Sequence, residues 1–337
     1  MASLLVYFFF VLWLDTTFAF SIKRISQRDG QLPQFVKDFA PLVFLDKNEK
    51  YFPSDIGKHL ENTTPFIDKT AIDPAPSIAV ENLDSLNQYI NEVNNVYLTL
   101  KEPIENDPAF LQGTQPNENG KTVDATSCVV IVTDHGDGII DAFYMYFYSF
   151  NQGNVVLSQE LGDHVGDWEH TMVRFKNGAP DALWLSQHSS GQAFSYEIMK
   201  KKGDRPIVYS ARGTHANYAI EGGHDHTIPG INLPKGLLED HTSEGKLWDP
   251  IQGAYFYSFD PASNTIESVE GSPTGFMNFK GRWGDDEYAD GDHGQKNFFG
   301  FKKYTAGPTG PLDKNLFRKQ VCPDRIQNCD IKSELAP

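Results

Sequence analysis

Leu161-Gly-Asp-His-Val-Gly-Asp-Trp-Glu-His-Thr-Met-Val-Arg-Phe175 holds the densest chemistry in the chain and runs straight into a strand. From Asp167 onward the residues alternate, and in an extended chain side chains at i and i+2 share a face. Asp167, Glu169 and Thr171 therefore point one way, and Trp168, His170 and Met172 the other. Gly166 supplies a bend that swings His164 back towards the two carboxylates. One imidazole and two carboxylates meeting where a bend gives way to a strand read as a divalent-cation site. Nitrogen and oxygen ligands without thiolate favour magnesium (Mg2+) or calcium (Ca2+), with manganese next, over structural zinc. The competing reading is solvation of acidic side chains at a strand end, with a His–Glu pair that only hydrogen-bonds within its loop.

Outward from this stretch the chain reads as strands and turns. Apolar or alternating runs predict strands at Pro41–Leu45, Cys128–Thr133, Ile139–Tyr148, Trp168–Phe175, Ala182–Gln187, Ala193–Ile198, Pro206–Ser210 and Ala254–Phe259. Asp134-His-Gly-Asp137 and Lys176-Asn-Gly178 carry hairpin-turn chemistry. Helical spacing of Leu83, Leu86, Ile90, Val93 and Tyr97 predicts one amphipathic helix over Leu83–Tyr97, and Pro33–Ala40 a short helical turn. Residues 101–122, rich in Pro, Asn, Gly and Glu, read as a long surface loop. Short strands at close spacing with little helix predict a mainly β chain, a two-sheet β-sandwich with one or two packed helices. With no internal repeat or clean linker, residues 33–305 read as one domain and 306–337 as a C-terminal tail.

Composition bounds the partners. The 337 residues include 24 Phe and 14 Tyr, ample for a sheet-based core. With 29 basic against 45 acidic residues, the net charge of −16 offers no footprint for nucleic acid and would be repelled by anionic lipid unless a cation bridged them. Leu4–Trp13 is an unbroken apolar run, shorter than the roughly 20 residues a bilayer span needs. Followed by Thr17 and Ala19, it reads as a secretory signal peptide, residues 1–19, cut after Ala19. Residues 20–32 read as a propeptide or linker, and Lys23-Arg24 as a dibasic processing site or simply two exposed charges. No later stretch is apolar enough for a transmembrane span, and Glu-Leu-Ala-Pro337 offers no hydrophobic tail for a lipid anchor. The address is the secretory pathway, ending in the vacuole or outside the cell.

Of three cysteines, Cys322 and Cys329 lie close in the tail and pair in an oxidising compartment. Cys128 opens an apolar strand and reads as a buried free thiol, a bridge to the tail being the alternative. Asn62-Thr-Thr64 is an N-glycosylation sequon. His188 and His215 sit at strand ends and, with Asp163 and His170, are candidates for a second shell or pocket wall around the cluster. His224 and His226 form a His-x-His pair in a glycine loop, and Trp283–His293 is an acidic stretch without EF-hand spacing. Nucleophile-elbow, zinc-protease, Walker and dinucleotide motifs are all absent from the sequence. A metal-bound water with His170, His188 or His215 as base would permit hydrolysis, so the enzyme question stays open and leans towards no.

Several motifs together resemble a known family. Ala40-Pro-Leu-Val-Phe-Leu45, Glu49-Lys-Tyr-Phe-Pro-Ser-Asp-Ile56, His164-Val-Gly-Asp-Trp-Glu-His170, Ser186-Gln-His-Ser189, Tyr209-Ser-Ala-Arg-Gly-Thr-His-Ala-Asn-Tyr218, His224-Asp-His-Thr-Ile-Pro229 and Gly307-Pro-Thr-Gly-Pro311 look like the fungal vacuolar protein sorting-associated protein 62 family. That resemblance implies a role in protein transport to the vacuole more than a chemistry. The His-x-x-Asp-Trp-Glu spacing is also distantly similar to necrosis- and ethylene-inducing-peptide-like proteins, secreted β-sandwich cytolysins. It implies that His164, Asp167 and Glu169 hold a cation, with Asn151 standing where that family has an acidic ligand. Gly166 replaces that family's second motif histidine. A partner protein, a glycan or a lipid headgroup are the ligands this implies, and cytolysin-like or lectin-like binding is the alternative to sorting.

Overall fold

The computed structural model describes residues 31–225, 238–298 and 300–335. The signal peptide read over 1–19, most of the segment 20–32, and His226 lie outside these residues. Two short α-helices open the described chain, α1 (Gln34–Asp38) and α2 (Ile56–Glu61). The Asp55 carboxylate caps α2 by accepting the Lys58 N–H at 2.7 Å. The first strands are β1 (Leu42–Leu45), β2 (Thr63–Ile67) and β3 (Val96–Leu100). A meander follows: β4 (Cys128–Gly136), β5 (Ile139–Asn151), β6 (His164–Lys176), β7 (Ala179–Gln187) and β8 (Ser190–Ser195). Then come β9 (Lys201–Lys202), β10 (Arg205–Ser210), β11 (Asn217–Tyr218) and β12 (Leu247–Trp248). The last are β13 (Ala254–Asp260), β14 (Thr265–Val269) and β15 (Ile331–Lys332).

An eight-stranded sheet runs β14-β13-β4-β5-β6-β7-β8-β15, and a five-stranded sheet runs β9-β10-β1-β12 with β11 on β10. They pack face to face as a β-sandwich. Val43, Leu45, Val208 and Trp248 of the smaller sheet meet Tyr144, Tyr146, Val173 and Leu183 of the larger. The opposite face of the large sheet is covered as well, by β3, α2 and the segment around Trp283 and Leu316. Burial on both faces explains why β5, Ile-Ile-Asp-Ala-Phe-Tyr-Met-Tyr-Phe-Tyr-Ser-Phe-Asn, is apolar almost without alternation. The β4–β5 and β6–β7 turns place Asp137-Gly138 and Asn177-Gly178 at positive φ, as type I′ hairpins demand.

The helix expected over Leu83–Tyr97 is not formed. Leu83–Tyr89 is a 3-10 helix that buries Leu83 and Leu86, a turn follows, and Val96–Leu100 is strand. Asn side chains outcompete the helical ladder there: Asn91 Oδ1 accepts the N–H of Val93 and of Asn94, and Asn95 Oδ1 that of Val96. Val93, assigned to the apolar stripe, is 86% exposed. The 101–122 loop holds two 3-10 turns that bury Ile104 and Leu111. The Cys322–Cys329 disulfide is present, and Cys128 is a buried free thiol. Beyond residue 305 the chain still feeds the core, through Leu316 and Val321. Among the described residues no helix is long and apolar enough to cross a membrane.

Candidate functional site

The first turn of the site is made by glycine. Gly166 adopts φ +68°, and a Cβ there would stand 2.1 Å from the Trp283 carbonyl oxygen. The ladder between β5 and β6 breaks at this point, pairing Asn151 with His164 and Phe150 with Val165 before resuming at Tyr148 and Asp167. The bend lets His164 Nδ1 donate to the Gly166 carbonyl at 2.7 Å, which leaves Nε2 carrying the ring's lone pair. Asn151 donates through Nδ2 to the Gly162 carbonyl at 3.2 Å.

Past the bend, Asp167 and Glu169 share the face that meets the smaller sheet, beside Tyr148 and Tyr146 in register. The turn between β10 and β11 closes over them and carries His215 in a left-handed conformation, φ +56°. His215 Nδ1 donates to Asp167 Oδ2 and Nε2 to the Tyr51 carbonyl, each at 3.0 Å. Since both partners only accept, both ring nitrogens carry hydrogen and His215 is an imidazolium. Its ring lies on Tyr148, 3.7 Å centroid to centroid and 3° from parallel. Burial alone would depress His215, but the Asp167 hydrogen bond and the charges of Glu49 and Asp167 raise it. Burial would likewise raise Asp167, and the His215 hydrogen bond with the charge of His215 brings it below the usual range.

Among the described residues Glu169 has no cation hydrogen-bonded to it, and the charges of Lys314 and His188 act on it only from a distance. Burial, then the Asp167 charge, push its carboxyl up to about 7. The Ser186 hydroxyl donates to Glu169 Oε2 and accepts the His170 N–H at 2.8 Å. Asp163, 2% exposed, is raised to about 7 by burial and by Glu160, while its Oδ1 accepts the Gly153 N–H at 2.9 Å.

His170 lies on the opposite face of β6, where its Nε2 accepts from Arg318 Nη2 at 2.9 Å and burial holds it well below its usual range. His188 donates from Nε2 to Asp240 Oδ2 at 2.7 Å. Asp240, 1% exposed, also accepts from Tyr218 Oη and Thr214 Oγ1. The structure thus brings Asp167, Glu169, Ser186 and His215 together, sends His170 elsewhere, and ties His188 to Asp240. The three-ligand cluster of His164, Asp167 and Glu169 is not formed as such: among the described residues no three His, Cys, Asp or Glu groups converge to hold a metal.

Two important residues are passed over in the sequence reading. Asp240 sits in the polar run Glu239–Thr242, which has no motif spacing. Glu49 lies within a quoted motif but shows its role only in three dimensions, where its carboxylate accepts the N–H of Lys50, Tyr51 and Gly213, each at 2.8 Å. It thereby ties the bend carrying the Tyr51 carbonyl to the turn carrying His215. Asn62 is half-buried at the end of α2, its Nδ2 donating to the Lys58 carbonyl.

Comparison with known proteins completes the description. The profile of the family described as "Vacuolar protein sorting-associated protein 62" matches residues 20–286. The chain is 36% identical to TDA6 of Saccharomyces cerevisiae, provisionally described as vacuolar protein sorting-associated, over 92% of this chain and 72% of that protein. It is 35% identical to vacuolar protein sorting-associated protein 62 of the same organism, over 89% of this chain and 69% of that protein. Among solved structures, Necrosis and Ethylene inducing Protein 2 from the causal agent of cocoa's Witches Broom disease aligns with TM-score 0.30 and 13% identity, over 56% of this chain and 69% of that one. NLPPya in complex with mannosamine aligns with TM-score 0.29 and 11% identity, over 66% and 72%. At such scores the structural likenesses carry no argument about ligand or activity.

Proposed function

This chain belongs to the vacuolar protein sorting-associated protein 62 family, and from that premise we propose that it serves protein delivery to the vacuole, as a binding factor and not as a catalyst. Family membership over most of the chain is the observation that carries the role. The same reading places the protein in the secretory pathway, with the vacuole as its destination.

The Asp167–Glu169 end of the sandwich is the ligand end in this proposal, holding magnesium or calcium. Its support is the donor inventory. His164, Asp167 and Glu169 each engage one atom with a protein partner and keep Nε2, Oδ1 and Oε1; these atoms do not converge in the structure, so a cation would have to draw them together. A cation there would supply the positive charge Glu169 lacks and an anchor for an oxygen-rich group such as a glycan or a lipid headgroup. Hydrolysis is disfavoured because the nearby bases are committed: His215 donates from both nitrogens, and His170 accepts from Arg318.

Deleting the gene and measuring how much of a soluble vacuolar hydrolase escapes to the medium tests the role. Escape that is rescued by the wild-type chain is expected, and unchanged sorting refutes the role. Metal analysis of the purified chain before and after chelation, repeated with Asp167→Ala, tests the cation separately. One equivalent lost in the variant is expected; a metal-free wild type that magnesium and calcium do not stabilise refutes it.

A further inference from the structure

The chain's last described segment is fastened in two different ways. From Lys314 to Val321 it is clamped by Arg318, which is 1% exposed. The guanidinium lies over Phe143 and Trp184, 4.8 and 5.9 Å from the ring centres. It donates to the carbonyls of Asn315 (3.0 Å), Lys314 (3.0 Å) and Val321 (3.4 Å) as well as to His170. Arg174, itself bidentate on Asp141, donates to the Arg318 carbonyl at 2.9 Å. Nothing in this clamp depends on a covalent link.

Past Val321 the fastening changes. Cys322 and Cys329 close a short ring, and Arg325 within it donates to the Ser189 carbonyl at 2.8 Å. Immediately after the ring, β15 pairs parallel with β8, Ile331 beside Ala193 and Lys332 beside Phe194. The Lys332 ammonium sits 5.6 Å from the Phe194 ring centre. Without β15, β8 would be the outermost strand on this side of the eight-stranded sheet. Its sequence, Ser-Gly-Gln-Ala-Phe-Ser, has no charge and no proline, the usual means by which exposed edge strands are blunted. A two-residue parallel partner is intrinsically weak cover, so β15 depends on the ring that delivers it, whose Cys322, Ile326 and Cys329 also pack against the core, and on Leu335, which packs between the sheets.

We propose that the Cys322–Cys329 bond is a redox-operated latch on the edge of the large sheet. When oxidised it holds β15 against β8; when reduced it loosens the 330–335 segment from β8, while the Arg318 clamp keeps 314–321 seated. A dithiol reductant opens it. The S–S bond breaks, two electrons and two protons pass to Cys322 and Cys329 as thiols, and the reductant becomes a disulfide. Cys128 takes no part, because it is fully buried and burial pushes its thiol well above the ordinary range. In an oxidising compartment the edge is covered; in a reducing one β8 offers its backbone groups for pairing. This inference is independent of the ligand end and of the cation.

Hydrogen exchange read by mass spectrometry on the full chain, oxidised and then reduced and alkylated, tests it. Exchange in residues 190–195 and 331–335 is expected to rise by up to roughly 60-fold on reduction, the chain-entropy value for releasing so short a ring. Exchange in 139–151 and 164–176 is expected to stay constant. The double variant Cys322→Ser/Cys329→Ser should match the reduced protein without any reductant. Unchanged exchange at 190–195 overturns the proposal by showing that the Arg318 clamp alone holds the segment. A rise across β5 and β6 as well overturns it by making the disulfide a support of the whole fold. Should the double variant fail to fold, the reduced wild type decides.

Discussion

Gly166→Ala, compared with Gly162→Ala, separates backbone strain from steric collision at the bend beneath the ligand end. Both glycines have positive φ, +68° and +92°. A Cβ at Gly162 meets nothing within 4 Å, so only the left-handed penalty applies, about 1–2 kcal/mol, partly offset by the stiffer unfolded chain. Net, about 1 kcal/mol is expected. At Gly166 the Cβ would lie 2.1 Å from the Trp283 carbonyl oxygen, about 1 Å inside contact, so backbone must move. Trp283 is fully buried and packed against Phe147 and Trp168, with ring centres 5.3 and 5.2 Å away, and overpacking there costs about 1–3 kcal/mol. The Trp283 carbonyl also accepts from His59 Nε2 at 3.0 Å, a buried bond worth about 1 kcal/mol that the shift would lose. The sum for Gly166→Ala is about 3–5 kcal/mol, or about 4–7 °C in Tm for a chain of this size. Urea unfolding monitored by tryptophan fluorescence, with a thermal scan, measures both variants. Equal costs within about 0.5 kcal/mol would refute the collision argument.

Asp141→Ala should cost about 3–5 kcal/mol in urea unfolding, because it strands the buried Arg174 guanidinium that now makes two 2.7 Å bonds to Asp141. The double variant Asp141→Leu/Arg174→Met should cost less than that single change; equal or greater cost contradicts the uncompensated-charge argument. Glu49→Gln should cost about 1–3 kcal/mol and speed exchange of the Gly213 amide, since an amide group cannot accept all three N–H groups that the carboxylate does; a Gly213 amide still fully protected would count against it. For pH, Glu169 is raised to about 7, so the folded chain holds this proton more tightly than the unfolded one. The stability it contributes is full below the unfolded value of 4.5 and is lost as pH rises through about 7. Thermal scans across that range should therefore show wild type losing ground to Glu169→Gln as pH rises, and parallel curves would contradict the assignment. His215, also raised, acts in the same direction in both proteins and cancels in the comparison, whereas His188, raised in part by the Glu169 charge, adds to the difference.

Local chemistry by itself determined the β character of this chain, its hairpin turns, and the sharing of one face by Asp167 and Glu169, and it favoured the pairing of Cys322 with Cys329 that the structure shows. Each depends on neighbours a few residues apart: the period of two, the Asp-Gly and Asn-Gly turns, a short ring. It also suggested a helix at Leu83–Tyr97, where spacing alone cannot weigh the Asn side chains that bond the backbone into a turn. Tertiary structure alone decided the rest. Alternation within β6 cannot say which sheet covers which face, nor that a turn 48 residues away delivers the His215 imidazolium to Asp167 and not to Glu169. Nor can it reveal that Asp240 is the partner of His188, 52 residues apart in sequence. Charge balance at this site is a long-range property because burial makes each carboxylate depend on whichever cation the fold brings beside it. No pattern within one strand encodes that choice.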